Sequence, residues 1–339
     1  MKEKSLHLYA LTLLAVLFGM PVARAQETNP GFIFPLACTL GKDCWTVHYV
    51  DDDPADGQAQ DFKCGHITYD AHKGTDFALP STARMNEGVD VLSAAAGTVL
   101  RIRDSESDTL KTDEELETIK KNGKECGNGI IIDHGEGLQT IYCHLKKESV
   151  VVKPNQNIGA GQKIAQAGQS GMAEFPHLHF GVMQNEKIVD PYTGLESTQG
   201  CGKMKESLWQ IGMPMPYERV AIFDGGFRTS PPDFEAIKNG EKNPETLSIN
   251  SAAFIFWTGI YNVEKGDKIT LEIIDPKGNT FHKEAMIQEK TRDRQFFFIG
   301  KKIGKIQLMK GTYTGTTTVE RSSPDANLTR TSQFSVKVD

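Results

Sequence analysis

The chain lacks the positive excess that nucleic acids attract: 38 Lys and Arg stand against 44 Asp and Glu in 339 residues, a formal charge of −6. That excludes a generally basic nucleic-acid binder. Long apolar runs are missing too. The N-terminal run 8–20 falls short of the ~20 residues that span a bilayer, and no later segment reads as transmembrane. There is no Cys-x-x-Cys, which argues against a thiolate zinc cluster, and there is no internal repeat. With 38% hydrophobic, 8% aromatic and 24% charged residues the chain is neither a disordered tail nor a multispan membrane protein. Its length suggests two domains.

Lys2 and Lys4 before the apolar run, with Ala23-Arg24-Ala25 after it, have the pattern of a cleaved signal peptide over 1–25. No cysteine directly follows, so lipid anchoring there is not expected. An extracytoplasmic chain, periplasmic or secreted, is therefore anticipated. The six cysteines, Cys38, Cys44, Cys64, Cys126, Cys143 and Cys201, lie beyond that segment and suggest three disulfides. Only Cys38 with Cys44 suggests a local closure; the other pairings stay open.

The region 26–202 is dense in glycine and in short apolar runs separated by turn residues, an all-β texture. Strands are expected over 94–100, 129–133, 139–145 and 177–182, with a hairpin turn at His134-Gly135-Glu136-Gly137. One short helix interrupts them: Thr112 and Glu115 form a capping box, and Gly123 can end it. This acidic insertion, 104–125, is expected near a groove rim. The stretch 203–215 reads as a linker. Beyond it, 216–339 has strand candidates at 252–260, 268–274, 295–299, 312–319 and 332–338 and suggests an immunoglobulin-like β-sandwich. This second region shows no chemical constellation and reads as an accessory module that docks on a wall or a partner.

Nine histidines are present, and three stretches of the first region draw attention: His72-Lys73-Gly74-Thr75-Asp76, Tyr142-Cys143-His144-Leu145 and His177-Leu178-His179. His177 and His179, two apart on a strand, leave the same face ~6–7 Å apart. His72 and Asp76 would lie ~13 Å apart on a straight strand, whereas two ligands of one zinc lie within ~4 Å. The backbone must turn between them, and Gly74 offers the freedom. Alternation places His144 with Thr140 and Tyr142, away from the more apolar face of Ile141, Cys143 and Leu145. If the stretches meet, two imidazoles and a carboxylate have the ligand chemistry of a catalytic zinc with an open fourth position. Spacing alone does not choose between His177 and His179 as ligand. His134 suits a structural role at its turn, and His48 and His66 have no matching partner.

Here the sequence resembles the lysostaphin-type, LytM-like zinc metallopeptidases that cut peptidoglycan cross-bridges. The likeness runs in order over 34–191. It is carried by His72-Lys73-Gly74-Thr75-Asp76-Phe77-Ala78-Leu79-Pro80, Ala94-Ala95-Ala96-Gly97-Thr98-Val99, Gly127-Asn128-Gly129, Asp133-His134-Gly135, Tyr142-Cys143-His144-Leu145, Gly168-Gln169-Ser170-Gly171 and Pro176-His177-Leu178-His179-Phe180-Gly181. The resemblance implies an antiparallel β-sheet catalytic domain, with Zn2+ held by His72, Asp76 and His179 and with His144 and His177 as unligated catalytic histidines. It implies an endopeptidase acting on peptidoglycan peptides, and a monomer is expected. The alternative is a non-hydrolytic relative that binds the wall or activates other hydrolases. The long acidic insertion leaves the family's substrate preference open for this chain.

Overall fold

A computed structural model describes residues 31–304, 308–322 and 327–339; the expected signal segment lies outside them. The fold is mostly β-sheet, with 8% of residues helical, as the sequence texture implies. Its main sheet runs, in spatial order, through Trp45–His48, Thr75–Ala78, His177–Gln184, Leu138–Cys143, Gly129–Asp133, Gly97–Arg103 and Asn157–Ile158. These neighbours pair antiparallel. Register aligns His48 with Asp76, Asp76 with His179, and His179 with Cys143. Directly paired residues share a face, so one row of side chains crosses four strands.

The opposite face of this sheet is the core, where Phe77, Leu178, Phe180, Tyr142 and Ile132 are fully buried. Alternation along Leu138–Cys143 is thus inverted from the sequence expectation: Thr140 and Tyr142 face the core, while Ile141 and Cys143 face outward. Buried hydroxyls explain why the polar residues are tolerated. The Ala94 amide donates to the Tyr142 hydroxyl at 2.8 Å, and Thr140 Oγ1 donates to the same oxygen at 3.1 Å. The expected hairpin joins Gly129–Asp133 to Leu138–Cys143. Its His134 ring bridges the Ala96 carbonyl and the Thr140 hydroxyl, each at 2.8 Å.

The expected helix forms over Asp113–Lys121, with Thr112 and Glu115 making the capping box and no residue of it buried. All six cysteines pair: Cys38 with Cys44, Cys64 with Cys201, and Cys126 with Cys143. The stretch 203–215 differs from a free linker. Trp209 sits in the core against Phe32, Phe180 and Tyr192, and backbone bonds tie Phe32 to Leu208 and Gln210. An indole with that much apolar surface stabilises more when buried than an extended tether would when free.

Beyond it stand a three-stranded sheet, Ala221–Arg228, Ala253–Val263 and Arg292–Lys302, and a five-stranded sheet that includes Lys268–Ile274, Thr280–Ile287, Gly311–Arg321 and Leu328–Val338. Side chains of both sheets, among them Phe254, Phe256, Leu271, Tyr313 and Val336, share one buried cluster. A second cluster joins this region to the edge of the main sheet: Trp45, Val47, Ala78 and Phe175 pack with Ala221, Phe223, Trp257, Tyr261 and Phe296.

Candidate metal centre and active site

Three nitrogen and oxygen atoms from distant stretches meet on the outer face of the main sheet. His72 Nε2 lies 3.2 Å from Asp76 Oδ1 and 3.1 Å from His179 Nδ1, and His179 Nδ1 lies 2.9 Å from Asp76 Oδ1. A tetrahedral ion with bonds of ~2.0–2.2 Å places its ligands about 3.3 Å apart, so this triangle has the dimensions of one face of such a site. The donor set, two imidazoles and one carboxylate, suits a borderline divalent ion. His72 and Asp76 are buried, and His179 is only partly so, leaving an approach from solvent.

Each donor is placed by a local device. His72 Nδ1 donates to the Tyr49 carbonyl at 2.6 Å, which fixes its tautomer and leaves Nε2 with a lone pair for an ion. Tyr69 stacks on the His72 ring with centroids 4.3 Å apart. Asp76 and His179 follow from strand register. Gly74 acts differently from the sequence expectation: its φ is not left-handed, and its role is close approach, since a Cβ there would lie 2.6 Å from His179 Nε2 and 2.7 Å from the Phe180 carbonyl.

His144 and His177 stand beside this triangle, with ring centroids 4.5 Å apart. His144 is buried, contrary to the exposed position expected, because the strand ends at Cys143 and residue 144 takes φ +59°. That turn brings the ring back to the outer face. The local backbone is pinned: the His144 amide donates to the Cys126 carbonyl, the Leu145 amide to the Asn128 carbonyl, and a disulfide joins Cys126 to Cys143. A left-handed non-glycine residue over-determined by its surroundings marks many functional sites.

His144 Nδ1 donates to the Ser170 carbonyl at 2.8 Å, and His177 Nδ1 to the Phe175 carbonyl at 2.9 Å. A carbonyl only accepts, so in both rings Nδ1 carries the proton and Nε2 is the free base. His177 Nε2 lies 3.8 Å from Asp76 Oδ1. Burial, reinforced by His177 and His179, holds the His144 pKa well below the ordinary imidazole value. Burial also lowers His177. Burial would raise Asp76, yet His72, His177, His179 and His48 together hold its carboxyl well below the usual range.

His48, which sequence reasoning left without a partner, belongs to the same constellation: its Nδ1 lies 3.2 Å from Asp76 Oδ2. No spacing in the chain announces it, because its second neighbour is Asp293. His66 is exposed, and His282 pairs with Glu284 at 2.7 Å far along the chain. From His179 a groove of about 610 Å³ runs over an apolar floor that includes Ile131, Ile141 and Met183, flanked by Lys73, Arg101 and Arg103.

Comparison with known proteins supports the resemblance drawn from the sequence. Residues 70–191 match Peptidase family M23, and this region holds His72, Asp76, His144, His177 and His179. An uncharacterized metalloprotease of Haemophilus influenzae is 30% identical over 144 residues, 41% of this chain and 25% of that protein. The peptidoglycan DD-endopeptidase ShyB of Vibrio cholerae is 34% identical over 119 residues, 35% of this chain and 22% of that protein. A crystal structure of a zinc containing peptidase from Vibrio cholerae shares 29% identity, with 42% of this chain and 39% of that one covered and a TM-score of 0.28. The chain thus spans about a quarter of the length of these curated relatives.

Proposed function

We propose that the chain is an extracytoplasmic zinc endopeptidase that hydrolyses peptide cross-links of bacterial peptidoglycan, with His72, Asp76 and His179 as metal ligands and His144 and His177 as catalytic bases. The observation that carries the reading is the triangle of three donor atoms with sides of 2.9–3.2 Å. Residues 26–202 form the catalytic domain in this reading, and 216–339 an accessory β-domain. Peptidoglycan is proposed from the matched relatives, among them a peptidoglycan DD-endopeptidase.

A zinc ion held there would supply a Lewis acid that polarises the scissile carbonyl and acidifies solvent at the open position. The protein's own part is proton handling. His144 and His177 present Nε2 lone pairs to the site with Nδ1 locked to backbone carbonyls. Either Nε2 can take the proton of an attacking water as general base. The same proton, now on Nε2, is available to the developing oxyanion or to the leaving amine, and the adjacent ring offers the second acceptor. Burial keeps both rings neutral near pH 7, which is the state a base requires. The groove beyond His179 can seat an extended peptide against its apolar floor.

Zinc content, together with amine release from purified peptidoglycan, tests this reading. His179→Ala should lose both zinc and hydrolysis. His144→Ala should keep zinc and lose hydrolysis by ~10²-fold or more. Equal zinc loss in the two variants refutes the division of roles. Zinc retention and wall binding by the unaltered chain with no new amines would favour the non-hydrolytic alternative.

A further inference from the structure

We propose that Asp293, from the C-terminal β-region, is a positioning residue of the metal centre that acts through His48 on the Asp76 carboxylate. The inference rests on the metal-site reading above and adds to it a part of the chain outside the matched residues 70–191.

The two oxygens of Asp76 have divided tasks. Oδ1 faces the imidazoles of His72, His179 and His177, whereas Oδ2 meets His48 Nδ1 at 3.2 Å. A carboxylate ligand with one unheld oxygen can rotate about its last torsion, and a donor on that oxygen fixes its plane. His48 is suited to this because it is buried and in register beside Asp76 on the neighbouring strand. Its ring needs orientation in turn. Nε2 lies 3.5 Å from Asp293 Oδ1, so one imidazole stands between two carboxylates.

Asp293 is delivered to this position by strong neighbours. Arg294, the next residue, donates from Nη2 to the Pro80 carbonyl at 2.9 Å, and its guanidinium lies 5.2 Å from the ring centres of Phe223 and Phe296. Tyr261 donates to the Leu79 carbonyl and Asn262 to the Val47 carbonyl, both at 2.9 Å. Val47 lies within the strand that carries His48, and Leu79 and Pro80 directly follow the strand that carries Asp76. The C-terminal region therefore grips the edge of the site at three points, and Asp293 reaches the ring from that grip.

The test uses the full chain and zinc itself, with affinity measured by competition against a fluorescent chelator. Asp293→Ala should weaken zinc binding about tenfold, the lower end of what loss of such an orienting partner costs. Asp293→Asn, which retains an acceptor oxygen, should recover most of it. In a His48→Ala background Asp293→Ala should change nothing further, a coupling that a merely structural role would not produce. The thermal midpoint of the zinc-free Asp293→Ala chain should match the unaltered one, because the side chain is more than half exposed. Unchanged affinity in Asp293→Ala, or an undiminished loss in the His48→Ala background, overturns the inference. An unaltered chain that binds no zinc overturns the metal site itself, and the inference with it.

Discussion

A methyl group at position 74 would lie 2.6 Å from His179 Nε2 and 2.7 Å from the Phe180 carbonyl, one a ring of the metal triangle and the other rigid backbone. Neither can retreat without shifting Asp76, whose strand begins one residue later. Gly74→Ala is therefore expected to lower zinc affinity by at least tenfold while leaving the core intact, and titration with the metal beside circular dichroism checks both halves. The sequence pointed to this glycine for its torsional freedom, but the structure uses its small size. Other residues of the site divide along similar lines. The shared face of His177 and His179 was legible from a period of two. The convergence of His72 and Asp76 with them was legible through the resemblance. His48 was not, because its partners, Asp76 and Asp293, become neighbours only through tertiary packing. His144 was rightly turned from the core but grouped with the wrong neighbours, Thr140 and Tyr142, because alternation stops where a strand stops, and nothing in the local composition marks residue 144 as left-handed.

At the scale of elements, the loop between Trp45–His48 and Thr75–Ala78 shows how a segment with little regular structure holds His72 in place. Asp51 accepts from the amides of Asp53, Gln60 and Ala71, and Asp61 from those of Lys63, Gly65 and Ile67. Asp52 is different. It is buried within hydrogen-bond reach of Asp190, and Asp52 Oδ1 and Asp190 Oδ2 have no other partner among the described residues. Burial and then the Asp190 charge drive Asp52 up to about 8, and burial drives Asp190 upward as well. The folded pair therefore keeps a proton that the unfolded chain releases above a pH of about 4. Stability from that proton is fully present below about pH 4 and drains as pH rises towards 8, since the folded state binds more protons across that window. Asp52→Asn removes the need for it. Denaturant unfolding should find the variant stabilised by ~2 kcal/mol more at pH 8 than at pH 5, and an equal difference at the two values would mean that the pair does not share a proton. Only part of the strands was legible: the short strands Trp45–His48, Thr75–Ala78, Lys163–Gln166 and Lys187–Asp190 went unmarked, and so did two longer ones, Ala221–Arg228 and Thr280–Ile287. Of the longer two, the first carries Gly225-Gly226, and the second has an exposed, charged pattern that hides its period.

For the whole molecule, the sequence suggested a catalytic region and a separable module joined by a linker, and the packing argues for closer dependence. A chain ended at residue 215 would uncover Trp45, Val47, Ala78 and Phe175, which now pack with Phe223, Trp257, Tyr261 and Phe296. It would also lose the hydrogen bonds from Tyr217 to Asp61 and from the Glu218 amide to Tyr49, beside the loop that leads to His72. Each large apolar side chain returned to water costs roughly 1.5–3 kcal/mol, so several together approach the ~5–15 kcal/mol by which domains are stable at all. A module that only carried the enzyme to a wall would leave cleavage of a small soluble cross-linked peptide untouched when removed. The shared cluster and the reach of Asp293 to His48 predict the opposite: the truncated chain should aggregate, or bind zinc weakly and cleave that peptide at least tenfold more slowly. Soluble, fully active truncated protein would show that the C-terminal region serves docking alone, and that the buried seam in front of Trp45 can close over itself.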